Sequence, residues 1–525
     1  MKKAFSRLYL FLFFTAHSHV TFAQTKVTSA FIDSIVQESM STFPQAGIGV
    51  AVIQDGEVTH LKGYGIRSAE TGEPVDENTL FAIASNSKAF TTTALAMLVD
   101  QGKLSWEDKV IDHIPEFRMY APYVTANFTI VDLLTHRSGL GLGAGDLMFY
   151  PPGADFTVED VIKSFQYHEP VSPFRTKYDY DNLLYIVAGE VIHRISGKSW
   201  DQFVEEEIMD KLGMENSVGI FQNITNNSNV AMPHKIEDGE VKQVDTYLKK
   251  DGSVAASGGI YSSVKDMSKW VRMHLNKGAY GDSLKQRLIS EDNQRELWKI
   301  RTLIHNDPYG NWVYNVHYHG YALGFFVQDQ NGYTVVNHSG GTTGMLSMVT
   351  LIPELDAAII VLTNSDAKGG LSYLTISNDI KDEFIGRKDL HWIGYAEMQA
   401  NKSSQTDSVV TAVWEQVERA KQTKLDFSNY VGRYKDDWFG EVVIYEEDGK
   451  LWFKSLRSPK LNGQMQYYQA NTFAVAMEYQ AMDCDAFVLF NLDENGKGVS
   501  ISMKGISPDI DFSFDYQDLD LQRVK

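Results

Sequence analysis

The sequence predicts an α+β fold followed by a small all-β unit. Apolar, β-branched stretches typical of strands occur near residue 50 and again between residues 333 and 363, and the stretch between them has helical periodicity. Strands at both ends of such a stretch indicate one antiparallel sheet that is completed late in the chain, with helices on its faces and an all-helical region. From residue 426 onward, short aromatic and β-branched runs alternate with turn dipeptides.

Composition excludes several classes of protein. The 525 residues suffice for about two to four domains, and 43% hydrophobic residues indicate ordinary globular packing. A net charge of −20 makes nucleic acid a poor partner, because a surface that follows phosphates needs an excess of basic residues. The single cysteine, Cys484, has no partner for an internal disulfide.

Residues 1–23 have the features of a secretory signal peptide. A basic start precedes an apolar run from Leu8 to Ala16, and Ala23 supplies a small residue at the expected cleavage position. The run is too short to span a membrane, which takes about 20 apolar residues. We therefore expect cleavage near Ala23, a periplasmic or secreted protein, and no stable insertion into a membrane.

The strands of the first domain, predicted at residues 28–385, follow from local patterns. Ile48–Ile53 and Val58–Leu61 flank Asp55-Gly56, a dipeptide that favours the tight turn of a β-hairpin. Near the end of the domain, apolar runs bounded by turn residues predict three more strands: Tyr333–Asn337, Met345–Leu351 and Ala357–Thr363.

Two further units complete the predicted organisation. Residues 392–424 are polar with apolar positions at helical spacing, such as Val413 and Val417, which indicates a connecting helix. Residues 426–525 are predicted to form a small barrel, because their strand-like runs are short and separated by turns. These runs are Glu441–Tyr445, Leu451–Lys454, Phe473–Met477, Ala486–Phe490 and Val499–Met503.

The strongest chemical signal is the pair Ser85 and Lys88. A spacing of three places the hydroxyl and the amine on one helix face, one turn apart. A serine is a weak nucleophile until a base takes its proton, and a lysine can be that base only where its pKa falls below about 10.4. Burial and the positive end of a helix both act in that direction. The helix itself is predicted from an apolar stripe: Phe90, Ala94, Met97 and Leu98.

Other short motifs gain meaning only from their order. Tyr180-Asp181-Asn182 follows Ser85 at a distance, and His338-Ser339-Gly340 follows a predicted strand. The chain also holds a second Ser-x-x-Lys, Ser262 to Lys265, and a second Tyr-x-Asn, Tyr309 to Asn311. Each match alone is typical of a helix cap or a packing tyrosine, so a single motif decides nothing.

No pattern in the sequence requires a cofactor or a metal. The H-E-x-x-H zinc motif and glycine-rich nucleotide loops are absent. His317 and His319 could face one side of a strand, but no third ligand is evident. We therefore predict neither a metal site nor a cofactor.

Taken in order, Ser85-x-x-Lys88, Tyr180-x-Asn182 and His338-x-Gly340 resemble the three active-site motifs of serine β-lactamases and penicillin-binding proteins. The nearest type is the class C-like branch, which includes D-aminopeptidases and esterases. The separations between the motifs fit this branch, and segments such as LLTHRSGL and NHSGGTTG are similar to it. The resemblance covers about residues 28–385, and the C-terminal unit resembles the lipocalin-like β-barrel appended to some of these enzymes.

The resemblance implies a catalytic role for several residues. Ser85 would form an acyl-enzyme, with Lys88 as its proton acceptor. Tyr180 would relay protons and protonate the leaving group. The backbone N–H groups of Ser85 and Gly341 would bind the oxyanion.

Three more residues would bind the substrate. Asn182 would hydrogen-bond the amide on the acyl side, and His338 and Gly340 would contact the substrate from the third motif. His338 stands where penicillin-targeted relatives carry a lysine. Because a histidine is mostly neutral at pH 7, it offers a substrate carboxylate little positive charge, and strong β-lactam hydrolysis is not expected.

The sequence thus predicts an exported serine hydrolase that acts on amide or ester bonds of a small-molecule or peptide substrate, such as D-amino-acid peptides or cell-wall fragments. Two alternatives stay open. An acyltransferase would pass the acyl group to an alcohol or amine, and a non-catalytic sensor would only bind β-lactams or peptides. The sequence does not predict an oligomeric state.

Overall fold

The structure is a computed structural model that describes residues 26–225, 229–244, 254–306, 313–403 and 406–524. The predicted signal peptide, residues 1–23, lies outside the described residues, and so does the second Tyr-x-Asn motif, Tyr309 to Asn311. Among the helices within these ranges, none combines the length and apolar character that crossing a bilayer requires.

The helices of the described chain lie mainly in the first domain, and two of them follow it. In chain order they are α1 (Ser29–Thr42), α2 (Ser87–Asp100), α3 (Val110–His113), α4 (Pro122–Asn127), α5 (Ile130–Leu134), α6 (Val158–Ser164), α7 (Leu183–Ser196), α8 (Trp200–Val204), α9 (Asp210–Leu212), α10 (Ala255–Gly258), α11 (Val264–Leu275), α12 (Glu291–Trp298), α13 (Ser372–Phe384), α14 (Trp392–Ser403) and α15 (Thr406–Ala420).

The strands of the first domain are β1 (Gly47–Gln54), β2 (Glu57–Gly65), β3 (Phe81–Ala82), β4 (His234–Glu237), β5 (Glu240–Gln243), β6 (Tyr261–Ser262), β7 (Ala279–Tyr280), β8 (Gln286–Arg287), β9 (Thr302–Asn306), β10 (Tyr318–Tyr321), β11 (Phe326–Gln330), β12 (Tyr333–Thr342), β13 (Met345–Ile352) and β14 (Ala357–Thr363). The large antiparallel sheet has the order β2-β1-β14-β13-β12-β11-β10-β9, and the remaining strands form small two-stranded sheets.

The sheet order confirms that the N-terminal hairpin joins strands from the end of the domain. Val50 of β1 lies opposite Val361 of β14, and the predicted turn at Asp55-Gly56 has positive φ at both residues. Such a turn matches the twist of the two strands that it connects. The strands β9 to β11 were not predicted, because their sequences mix polar and aromatic residues without a clear alternation.

Both faces of the sheet are covered. Val50 and Val52 of β1 pack in one hydrophobic core with α1 and α13, whereas Ala51 and Ile53 belong to a second core. This second core contains α2, α7, α11 and the rest of the all-helical region. The central strands therefore read as continuous apolar runs, since each successive side chain enters one core or the other.

The helix that carries Lys88 lies at the centre of the first domain. Every residue of α2 from Ser87 to Leu98 is buried, rather than only the predicted stripe. Phe90 stacks on Trp270 of α11, with ring centroids 3.7 Å apart. A helix that is covered on all sides places any polar side chain on it in a dry environment.

The C-terminal unit is a closed barrel of eight described strands, as predicted. Helices α14 and α15 lie within the predicted connecting segment, residues 392–424. The barrel strands are β15 (Gly432–Asp436), β16 (Gly440–Glu447), β17 (Lys450–Ser455), β18 (Asn462–Gln469), β19 (Thr472–Met477), β20 (Ala486–Leu492), β21 (Gly498–Gly505) and β22 (Leu521–Arg523).

Because the sheet is buried on both faces, shortening a side chain should destabilise the protein more in a central strand than in an edge strand. Ile360 in the central strand β14 is 0% exposed, and Ile304 in the edge strand β9 is 37% exposed. We expect Ile360→Ala to lower the free energy of unfolding by about 2–5 kcal/mol, because it leaves a cavity in the core that contains α2 and α7. The matched control Ile304→Ala should cost much less. Urea denaturation followed by tryptophan fluorescence measures both, and equal losses would contradict the prediction.

Candidate active site

Ser85 lies in a short 3₁₀ turn that leads into α2. The preceding residue, Ala84, has φ +46°, a left-handed conformation that costs a residue with a Cβ roughly 1–2 kcal/mol. Strand β13 holds this turn: Asn86 Nδ2 donates to Ser347 Oγ at 2.8 Å, and Ser347 Oγ donates to the carbonyl of Ile83 at 2.7 Å. Hydrogen bonds from the sheet thus fix the strained turn that presents Ser85.

The Lys88 amine is enclosed by three oxygen atoms. Its Nζ lies 3.2 Å from Ser85 Oγ, 2.7 Å from Asn182 Oδ1 and 2.8 Å from the carbonyl oxygen of Ser257. The amide and carbonyl oxygens can only accept. A neutral amine would therefore donate its two hydrogens to them and direct its lone pair at the Ser85 hydroxyl.

Burial decides the charge of this amine. It lowers the pKa of Lys88 to about 7, although the carboxyls of Asp146 and Asp181 act in the opposite direction. Burial also raises the pKa of Asp181 to about 7 and that of Asp146 well above its usual value. The carboxyls therefore carry less negative charge than exposed ones, and the neutral amine is well populated at neutral pH.

The Tyr180 ring lies in the cleft wall, and its hydroxyl is enclosed. Lys88 Nζ is 4.9 Å from the ring centroid. Burial raises the pKa of Tyr180 well above 10, while its interaction with the Ser85 hydroxyl lowers it. The phenol is therefore neutral and able to pass a proton. His136 packs against this ring with centroids 4.2 Å apart and accepts the backbone N–H of Asp181 at Nδ1, so it positions the motif.

The glycines of the third motif have different surroundings. A Cβ on Gly340 would lie 2.1 Å from the carbonyl oxygen of Ile83 and 3.0 Å from the backbone nitrogen of Ser85. Gly340 thus lets β12 approach the turn of the nucleophile closely, and it is Ser85 and Gly341 that line the cleft. Both predicted oxyanion residues accordingly border the same space.

His338 is 2% exposed and held in one neutral form. Its Nδ1 lies 2.6 Å from the carbonyl oxygen of Ser339, and its Nε2 lies 2.9 Å from the Tyr321 hydroxyl. The imidazole therefore donates from Nδ1 and accepts at Nε2. Burial lowers the pKa of His338 to about 3, so the third motif brings no positive charge to the cleft at physiological pH.

The structure gives Asn182 a contact that the sequence did not predict. Its Nδ2 donates to Asp146 Oδ2 at 2.8 Å, which turns its Oδ1 toward Lys88. Sequence reasoning also missed Asp146 and the carbonyl of Ser257. Asp146 follows a glycine-rich stretch that matches no motif. Every residue type has a backbone carbonyl, so the sequence did not indicate the carbonyl of Ser257 either.

One cleft of about 1690 Å³ contains the predicted residues Ser85, Tyr180, Asn182, His338 and Gly341. The first domain, the linker helices and the barrel all contribute to its wall. Its lining includes two lysines, Lys235 and Lys368, and seven acidic side chains: Glu237, Asp238, Asp366, Asp483, Asp485, Asp509 and Asp511. The lining of the cleft therefore contains more acidic than basic side chains.

The remaining candidates have structural surroundings. Ser263, in the second Ser-x-x-Lys motif, caps α11 by accepting the backbone N–H of Asp266, and Lys265 is exposed. His317 contacts the Asp329 carboxylate at 2.8 Å. Within the described ranges, no group of three or more His, Cys, Asp and Glu side chains is arranged to hold a metal ion.

Residues 32–374 match the β-lactamase family, and residues 417–523 match a domain of unknown function, DUF3471. The first match covers more than half of the chain. This protein therefore belongs to the β-lactamase family, whose members include penicillin-binding-protein-like enzymes.

Solved structures share the fold. The octameric penicillin-binding protein homologue from Pyrococcus abyssi aligns with a TM-score of 0.58 and 20% identity, over 92% of this chain and 98% of that one. A penicillin-binding protein from Bacillus halodurans aligns with a TM-score of 0.53 and 22% identity, over 67% of this chain and 98% of that one.

Curated relatives include a hydrolase. The unguisins hydrolase ungD of Aspergillus violaceofuscus is 27% identical over 79% of this chain and 76% of its own length. Penicillin-binding protein 4 of Amycolatopsis lactamdurans is 25% identical over 65% of this chain and 85% of its own length. Protein flp of Staphylococcus aureus is 24% identical over 64% of this chain, which spans 63% of flp.

The pKa of Lys88 predicts the pH dependence of any reaction that uses its amine. The active form is the neutral one, so the rate of Ser85 acylation should rise with pH and level off above about 7. Lys88→Arg should abolish acylation, since a guanidinium stays protonated. The control Lys265→Arg, in the second motif, should keep both the rate and the pH profile. Pre-steady-state kinetics with a p-nitrophenyl ester measure this, and a Lys88→Arg enzyme with the wild-type profile would contradict the assignment.

Proposed function

We propose that this protein is a serine hydrolase that cleaves amide or ester bonds through an acyl-enzyme on Ser85. The observation that carries the proposal is the buried amine of Lys88, 3.2 Å from the Ser85 hydroxyl and with a pKa of about 7. A structural lysine in a core would instead be paired as an ammonium with a carboxylate. The name of the fungal relative, a hydrolase, agrees with the proposal.

In the proposed reaction, Lys88 takes the proton of Ser85 while Ser85 Oγ attacks the substrate carbonyl carbon. The tetrahedral oxyanion accepts hydrogen bonds from the backbone N–H groups of Ser85 and Gly341. The proton that Lys88 took passes through the Tyr180 phenol to the leaving amine or alcohol, which departs and leaves the acyl group on Ser85, with Lys88 and Tyr180 both neutral again. Water, activated by the same groups, then releases the acid and restores the serine.

The charge of the cleft supports a substrate that lacks a carboxylate near the scissile bond. His338 is neutral, and seven acidic side chains and only two lysines are among the residues that line the cleft. A negative potential lowers the local concentration of anions and raises that of cations. Neutral or cationic esters and amides, including peptides with a free amine, therefore fit the cleft better than penicillins do.

We also propose that the protein is exported. The basic start, the short apolar run and the small residue at Ala23 support cleavage of a signal peptide and a periplasmic or secreted location.

The assignment of the nucleophile has a direct test. A fluorescent phosphonate should label the wild-type protein and fail to label Ser85→Ala, while the control Ser262→Ala, in the second Ser-x-x-Lys motif, should label fully. Labelling is measured by in-gel fluorescence and the site by peptide mass spectrometry. Undiminished labelling of Ser85→Ala would refute the proposal.

The acidic lining of the cleft predicts that the enzyme discriminates between substrates that differ by one negative charge. For two esters that differ only in a free carboxylate or its methyl ester, kcat/KM should favour the neutral compound by about tenfold or more at low salt. The difference should shrink as salt screens the acidic side chains of the lining. Faster turnover of the carboxylate compound at every salt concentration would contradict the preference for neutral or cationic substrates.

A further inference from the structure

One loop of the C-terminal barrel contacts the second of the three motifs. Residues 512–515, here called the barrel loop, lie between β21 and β22. Phe512 packs edge-on against the Tyr180 ring, with centroids 5.9 Å apart. Ser513 is 5% exposed and Asp515 is 0% exposed, so both polar side chains are buried between the barrel and the first domain.

The barrel loop holds the segment of the first domain that contains Asp146. The Asp515 carboxylate accepts the backbone N–H of Gly145 at 2.7 Å and that of Leu147 at 2.9 Å, on either side of Asp146. A Cβ on Gly143 would lie 2.6 Å from the carbonyl oxygen of Phe512, so glycine permits this approach. The same Gly143 donates its N–H to the carbonyl of Tyr180, which ties the segment to the second motif.

A chain of hydrogen bonds then runs from the barrel to the nucleophile. Ser513 Oγ donates to Asp146 Oδ2 at 2.9 Å, and Asn182 Nδ2 donates to the same oxygen at 2.8 Å. Asn182 Oδ1 in turn lies 2.7 Å from Lys88 Nζ. Asp146 is 0% exposed. Its carboxyl can keep the Asn182 amide in one orientation because the hydrogen bond from Ser513 fixes the carboxyl in turn.

We propose that Ser513 is a positioning residue for the catalytic base: by holding Asp146, it orients the Asn182 amide and keeps the Lys88 amine directed at Ser85. The barrel then affects the rate of the chemical step through this contact, in addition to lining the cleft. This inference rests on the hydrolase function proposed above. It means that a residue of the barrel helps to position Lys88, which belongs to the first domain.

The inference predicts an effect on the chemical step that depends on one hydroxyl group. Ser513→Val and Ser513→Thr have nearly the same shape, but only threonine keeps the hydroxyl. In the full-length protein, Ser513→Val should lower kcat for a p-nitrophenyl ester about tenfold with little change in KM, because a hydrogen bond to a charged or polarised group is lost. Ser513→Thr should stay near the wild-type kcat, and Ser502→Ala, on the exposed face of β21, should have no effect.

A double-mutant cycle locates the effect. Asp146→Leu removes the oxygen that accepts hydrogen bonds from both Ser513 and Asn182, and it should also lower kcat. Because Ser513 acts through Asp146, the double variant Ser513→Val/Asp146→Leu should lose less than the product of the two single losses. Strict multiplicativity would overturn the inference, and so would a wild-type kcat in Ser513→Val. If Ser513→Val does not fold, Ser513→Ala takes its place in the cycle.

The same assay separates this inference from the function on which it rests. Turnover and phosphonate labelling of the wild type that are no higher than in Ser85→Ala would overturn both. An active wild type with an equally active Ser513→Val, or with equal losses in Ser513→Val and Ser513→Thr, would overturn only the role of the hydroxyl. Melting temperatures of all variants are measured alongside, so a loss of kcat at unchanged stability is assigned to positioning.

Discussion

The enclosure of the Lys88 amine is the constraint on which the rest of the site depends. Burial in a helix covered on every side brings its pKa to about 7, and two acceptor oxygens leave its lone pair for the Ser85 hydroxyl. An exposed lysine would be an ammonium at neutral pH and could not accept a proton. The dense packing around α2 therefore sets the proton affinity of Lys88 as well as stabilising the domain.

Burial, rather than ion pairing, keeps the groups around this amine largely uncharged. Asp146 and Asp181 would hold Lys88 as an ammonium if both were fully ionised, but burial raises the pKa of each carboxyl. His338 and Tyr180 stay neutral for the same reason. The site is thus a set of buried polar groups with few fixed charges, inside a cleft whose lining contains more acidic than basic side chains.

The two domains share this site. The sheet of the first domain holds the turn of Ser85 through Ser347, and the barrel contributes the loop that contacts Asp146 and Tyr180. A fold that is common to many enzymes of the β-lactamase family is here completed by an appended unit. Differences in that unit would change the lining of the cleft and the contacts of Asp146 without any change in the three motifs.

Much of the architecture was predictable because its signals are local. The hairpin at Asp55-Gly56, the late strands and the barrel follow from periodicity and turn residues, and all are present. The unpredicted strands have weaker patterns: β18 is rich in polar residues, and β9 to β11 mix polar and aromatic residues. In both cases packing against other elements, rather than local preference, determines the structure.

The sequence by itself determined the order of the three motifs, the residue types of the site and the histidine in the third motif. Only the tertiary structure decided that Gly340 supports the Ser85 turn, that Asn182 faces Lys88, and that Asp146 joins them to the barrel. The physical reason is that these contacts join residues far apart in the chain. A shifted pKa likewise depends on every atom that excludes water from the group, and no local pattern records those atoms.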